Sequence, residues 1–153
     1  MEPRNREATS SIGLLILRLG IAGYLLTHGW GKLQMLLAGS FADFGDPIGL
    51  GAEASLVLIV FAEFLCSLLV LLGLGTRLAA IPVVIAMGVA AFVAHGADPW
   101  TMGKGYELYM SGASKSWASK EPALLFLVPF LALAFTGPGR YSLDALIRGR
   151  RRK

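Results

Sequence analysis

One cysteine and two histidines stand among 153 residues, and only 16% of the side chains carry a formal charge. The lone thiol, Cys66, cannot close an internal disulfide, and with no Cys-x-x-Cys pair a dithiol relay within the chain is excluded. Cys66 therefore reads as a small apolar packing residue. No His-x-x-x-His or Glu-x-x-His spacing occurs, so the common helical metal-ligand pairs are absent. Haem-type histidine pairing and flavin or iron–sulfur motifs are missing as well, and there is no solenoid repeat. Acidic side chains number 10 against 14 lysines and arginines. The basic surplus collects in the C-terminal tail, where a topology signal and contact with anionic lipid explain it better than nucleic acid does.

What the chain has in quantity is hydrocarbon. Hydrophobic residues make up 55% of it, and the mean hydropathy is +0.63. Four apolar runs have the length of a bilayer span, about 17–25 residues: 12–37, 54–74, 78–97 and 120–137. The first is too long for the core of a secretory signal. Arg18 interrupts it and no small-x-small site follows promptly, so it reads as retained. The expectation is one all-α domain, 1–153, built as a four-helix transmembrane bundle with a short C-terminal amphipathic segment. Gly-Leu-Gly at 73–75 makes a tight turn between antiparallel spans two and three. Residues 98–119 form a long outer loop, whose Trp100, Tyr106, Tyr109 and Trp117 read as interface anchors or as a lid over a site. Residues 138–153 form the tail.

Lysine and arginine set the orientation. Arg4, Arg6, Arg77, Arg140, Arg148, Arg150, Arg151, Arg152 and Lys153 fall on one side, with Arg18 just inside it. Only Lys32, Lys104, Lys115 and Lys120 fall on the other. Both termini and the Arg77 turn are expected in the cytoplasm, in a multi-pass protein of the cell membrane.

Polar residues inside such spans must pair, line a cavity or do chemistry. At about 1.5 Å of rise per residue, His28 and His95 both lie about 25 Å above the inner ends of their spans. Lys32 stands one turn above His28 on nearly the same face, and Glu121 opens the fourth span at that outer edge. Glu63 sits near mid-membrane on a stripe with Cys66 and Ser67, and Arg18 lies within reach from the first span. Arg18 and Glu63 are therefore expected to pair, a contact that structural register alone would also explain. Arg77 and Asp144, both at the inner surface, are expected to pin the C-terminal segment against the turn. Lys32 can equally snorkel to the interface, and Glu121 can simply favour a helix N-terminus. Two histidines at one level beside a lysine and a carboxylate are harder to reduce to packing. A metal is not expected there, because Lys32 is a poor neighbour for a cation. Quinone chemistry fits better: it needs donors at the carbonyls and a group that exchanges protons near neutral pH.

These residues carry a resemblance. Arg18-Leu-Gly20, His28-Gly29 with Lys32-Leu33, Ala62-Glu63, Thr76-Arg77, His95-Gly96, Lys120-Glu121-Pro122 and the stretch from Gly137 to Asp144 resemble the DoxX family of small four-helix membrane proteins. The likeness runs over about residues 13–147. It implies a subunit like those of quinol oxidase or thiosulfate:quinone oxidoreductase, or a membrane anchor for an oxidative-stress complex; some relatives are assembly factors with no redox role. On that reading His28, His95 and Glu63 are catalytic candidates, while Lys32, Glu121 and Arg18 bind substrate. Quinone is the expected cofactor, with membrane lipid and other subunits of a complex as partners. A non-catalytic scaffold is the alternative. Solute transport fits less well, since four spans enclose a narrow pathway.

Overall fold

The structure is a computed structural model that describes residues 3–150, with side chains from 7 to 149. The basic tail at Arg151, Arg152 and Lys153 lies outside the described residues, as do the side chains of Arg4, Arg6 and Arg150. Among the described residues every regular element is helical and there is no strand.

Helix α1, Pro3–Leu37, runs without an interior proline and ends where Gly39 takes a positive φ of 69°. The Ser40 N–H then reaches back to the Met35 carbonyl at 3.1 Å, a glycine-closed C-terminus. Helix α2, Ala52–Leu72, ends the same way: Gly73 is left-handed and Leu74 N–H bonds Leu69 O at 2.9 Å. Helix α3 follows at Thr76–Ala94. A short helix α4, Met102–Met110, occupies the middle of the expected outer loop, its N-terminus capped by the Thr101 side chain. Helix α5 is Glu121–Thr136, with Pro122 in its first turn, and helix α6 is Leu143–Arg150. Helices α1, α2 and α3 are long and apolar enough to cross a membrane, whereas α5 is apolar but shorter.

Two stretches depart from α geometry. Phe61–Cys66 in α2 and Ala90–Ala94 in α3 are π-helical turns. Each widens its helix locally, as such insertions do, often beside functional groups.

The long helices pack as a ring: α1 on α2, α2 on α3, α3 most extensively on α5, and α5 back onto α1. Ala22, Leu25, Val70, Ala80, Val83, Met87, Ala91, Phe130 and Leu133 form the centre. Small residues on α3 admit α5 closely. Helix α1 comes up against the main chain of α2. A Cβ built on Gly29 would stand 2.6 Å from the backbone carbonyl of Glu63, so only glycine lets α1 lie against the first π turn. The outward faces carry large apolar side chains, among them Ile16 at 65%, Leu78 at 76% and Phe135 at 77% exposure. A surface of that kind needs lipid rather than water against it.

At the end of the bundle that holds the Gly73–Gly75 turn, the side chains do not pair as the sequence suggests. Arg18, 1% exposed, donates to the carbonyls of Val70 and Leu71 at 3.2 Å and of Tyr141 at 2.5 Å. It caps the last turn of α2, where carbonyls lack intrahelical partners, and it does not meet Glu63. Asp144 likewise does not pair with Arg77. Its carboxylate accepts from the N–H groups of Gly75 and Thr76 at the start of α3, where a helix N-terminus favours negative charge. Arg77 donates instead to the Thr136 carbonyl at 3.5 Å. The C-terminal segment is thus held against the turn, by backbone groups instead of an ion pair.

Before α2, Asp46 accepts from Leu50 N–H, Gly51 N–H and the Ser55 hydroxyl at 3.1, 2.8 and 2.8 Å. The Gly51 N–H, and then the Ser55 hydroxyl, hold its carboxyl below the usual carboxylate range.

Two outcomes follow. Gly29→Ala should destabilise the protein in detergent by about 1–3 kcal/mol, because backbone must move to admit the methyl. Gly31→Ala has nothing within 4 Å of the new carbon and should be neutral or mildly stabilising; thermal melts of the two variants check the contrast. Asp46 binds protons less readily folded than unfolded, so its stabilisation is complete above pH about 4 and fades as pH falls through the lowered folded value. Asp46→Ala should remove that part of the acid sensitivity in a pH-dependent melt.

Candidate functional site

The polar layer lies where the first π turn packs on α1 and the second, on α3, packs on α5. Gly29 brings α1 onto the π turn of α2, and the neighbouring turn of α1 then sets Lys32 beside Glu63. Lys32 Nζ lies 2.5 Å from Glu63 Oε2. The carboxylate side chain is 5% exposed and the lysine 27%, so this is a largely enclosed ion pair. Glu63 therefore pairs with Lys32, and the expected Arg18 partner stands at the other end of the bundle.

The π turn of α3 ends at His95, whose N–H bonds Ala90 O at 2.9 Å. The ring is fixed by Asp98: Nδ1 lies 2.8 Å from Asp98 Oδ2. An ionised carboxylate only accepts, so Nδ1 carries the hydrogen and Nε2 remains for another partner. Asp98, the first residue of the expected outer loop, is a site residue that the sequence reading misses. The His-x-x-Asp spacing at the end of a span is the signal that marks it, since a four-residue turn brings its ends together, here with Asp98 N–H on His95 O at 3.0 Å.

His28, Lys32, Glu63 and His95 all line one cavity of about 440 Å³, together with Leu25, Met87, Phe126 and residues 116–119. That volume suits a small organic ligand. His28 packs edge-on to Phe126, with ring centroids 5.7 Å apart. A second cavity of about 470 Å³ lies between α2 and α3 and is almost wholly apolar, with Leu58, Ile59, Phe61, Ile85 and Val89 in its lining. Lys32, Glu63, Ala90 and His95 line both spaces and form the wall between them.

Glu121 is not among the residues lining either cavity. Its carboxylate accepts from Met102 N–H at 2.7 Å and so anchors the start of α4. Lys120 donates to the carbonyls of Gly96 and Asp98 at 2.9 and 2.7 Å, with its ammonium 5.2 Å from the Trp100 ring centroid. These two residues tie the loop over the cavity. Gly105 helps them, because a Cβ there would meet the Trp117 carbonyl at 2.7 Å. Arg18, Arg77 and Asp144 serve the opposite end. Among the described residues no three His, Cys, Asp or Glu side chains converge as a metal-ligand set.

The family model for DoxX matches residues 13–96. The chain belongs to the DoxX family. That match takes in Arg18, His28, Lys32, Glu63, Arg77 and His95, and it stops two residues short of Asp98. An uncharacterized protein of Haemophilus influenzae is 32% identical over 143 residues, covering 92% of this chain and 94% of that one. An uncharacterized membrane protein of Mycobacterium tuberculosis is 32% identical over 148 residues, covering 93% and 85%. No solved structure matches the chain. This is a DoxX-family membrane protein, with a titratable cluster between two cavities.

The revised pairing has a direct check. In a double-mutant cycle in detergent, Lys32→Met and Glu63→Gln should show a coupling energy of about 1–3 kcal/mol. Either change alone should destabilise by up to about 3 kcal/mol, because it leaves the partner unmatched. Arg18→Met and Glu63→Gln should add within about 0.5 kcal/mol.

Proposed function

We propose that the chain acts as one membrane domain, 1–153, crossing the bilayer four times with both termini cytoplasmic, and that it handles quinone as a subunit of an oxidoreductase or oxidative-stress complex. The observation that carries this reading is the common wall: Lys32, Glu63 and His95 stand between the cavity that holds both histidines and an almost wholly apolar one. A quinone has the same two-sided demand. Its ring carbonyls need hydrogen-bond donors and protons, while its isoprenoid tail needs hydrocarbon. The apolar cavity between α2 and α3 takes the tail, and the wall meets the head.

Reduction to quinol consumes two electrons and two protons. The electrons come from a partner subunit, since the chain lacks haem, flavin and iron–sulfur motifs. The chain's own residues handle protons and position. His95, oriented by Asp98, presents Nε2 as the exchanging atom. Lys32 donates to a carbonyl oxygen and offsets charge developing on it, with Glu63 as its counter-ion. His28 supplies a second exchangeable group across the cavity. Glu121 and Lys120 act through the loop they tether.

A scaffold role is the second reading, and one observation favours it: Lys32 with Glu63, His95 with Asp98, and Glu121 with Met102 N–H are already mutually satisfied. On that reading the same residues only hold the bundle and its loop for partner proteins.

Protein purified in mild detergent should retain quinone in stoichiometric amount by extraction and chromatography. His28→Ala with His95→Ala should lose at least about nine-tenths of it, equivalent to about 1.4 kcal/mol of binding, while melting normally. Absence of quinone from the folded parent protein transfers the assignment to the scaffold. For orientation, an impermeant thiol reagent should label Ser111→Cys in intact cells and Gly149→Cys only after lysis; the reverse pattern inverts the proposed topology.

A further inference from the structure

A concavity larger than the one beside the histidines lies elsewhere. At the opposite end of the bundle a groove of about 1,070 Å³ lies between the start of α1, the start of α3, the end of α5 and helix α6. Arg77, Arg140 and Arg148 line it from three different segments of chain. All three side chains are exposed, and their internal bonds leave donors over. Arg77 has one 3.5 Å contact to the Thr136 carbonyl. Arg148 uses Nε on the Asp144 carbonyl at 3.2 Å. Arg140 Nη1 lies 3.9 Å from Glu7 Oε2, with both groups largely in solvent. The groove's other carboxylate, Asp144, is turned to the N–H groups of Gly75 and Thr76.

We infer that this groove binds the phosphate of an anionic phospholipid headgroup. Guanidinium forks match phosphate oxygens bidentately, and three of them converge where both nearby carboxylates are engaged or distant. The apolar surroundings favour a lipid over free phosphate. Leu78 lines the groove and is 76% exposed, and Ile81 at 48% and Ile85 at 62% continue from it along the outer face of α3. Their spacing of three and then four residues makes one stripe, a track for an acyl chain leading away from the arginines. The inference rests on the proposed insertion of this end at a membrane surface, and it goes beyond general attraction of a basic tail by naming a built site in the folded domain.

The test uses the full chain in neutral detergent, which reads the site whichever side of the membrane it faces. Labelling at positions 111 and 149 tests orientation separately. Palmitoyl-oleoyl phosphatidylglycerol and the phosphatidylcholine with identical chains are titrated and bound lipid is counted by native mass spectrometry, with glycerol 3-phosphate as the headgroup alone. Phosphatidylglycerol should bind about tenfold more tightly than phosphatidylcholine, the scale of one charge-assisted contact, and glycerol 3-phosphate much more weakly than either. R77Q/R140Q/R148Q should bring the two lipids level. Arg148→Gln alone, on the exposed face of α6, should lower the preference severalfold with an unchanged melt, and it serves as the reading if the triple variant fails to fold. Equal binding of the two lipids to the parent chain overturns the site. So does an undiminished preference in the folded variants, and so does glycerol 3-phosphate binding as tightly as the lipid.

Discussion

The contact of Gly29 with the backbone of Glu63 governs the site. Two helices normally meet through side chains at axial separations of 8–10 Å; here one of them meets the other's main chain. That approach fixes the register between α1 and α2, and register decides which side chains can pair. With Gly29 seated on the π turn, Lys32 is the cation that reaches Glu63, and His28 lines the same cavity from the preceding turn. The second π turn does the equivalent for α3 by ending at His95. A widened turn on each of two facing helices opens space in a bundle that is otherwise tightly packed around Ala80, Val83 and Ala91.

Much of this was legible in the sequence because it depends on single-helix properties. Run length and hydropathy locate the long helices to within a few residues, except that α1 begins at Pro3, well before its apolar run, and they miss α4 inside the expected outer loop. Depth arithmetic put His28 and His95 in one layer, and they line one cavity. The stripe of Glu63, Cys66 and Ser67 is buried throughout.

Pairings were less legible, because they depend on the register between helices and on backbone acceptors that have no letter of their own. Arg18 was matched to Glu63 by charge and reach, yet its partners are carbonyls of Val70, Leu71 and Tyr141. Asp144 was matched to Arg77, yet it accepts from two N–H groups. In both places a helix end offered unsatisfied groups that composition cannot display. The π turns also broke the regular 3.6-residue spacing on which face assignments rest. Even the two His-Gly pairs differ: Gly29 admits a neighbouring helix, whereas Gly96 folds back on its own, where a Cβ would stand 2.7 Å from the Phe92 carbonyl.

The Arg18 clasp has a consequence for how the protein is made. The guanidinium belongs to α1, while one of its acceptors, the Tyr141 carbonyl, lies 123 residues later. Chains emerge N-terminus first, so Arg18 must enter the forming bundle and wait, with two of its three acceptors supplied by the end of α2, until Tyr141 has been synthesised. Closure of that end therefore waits until α5 and the segment after it have been made. A nascent chain arrested before Tyr141 would hold a charged side chain short of one partner, a mark by which quality control could tell an unfinished bundle from a complete one.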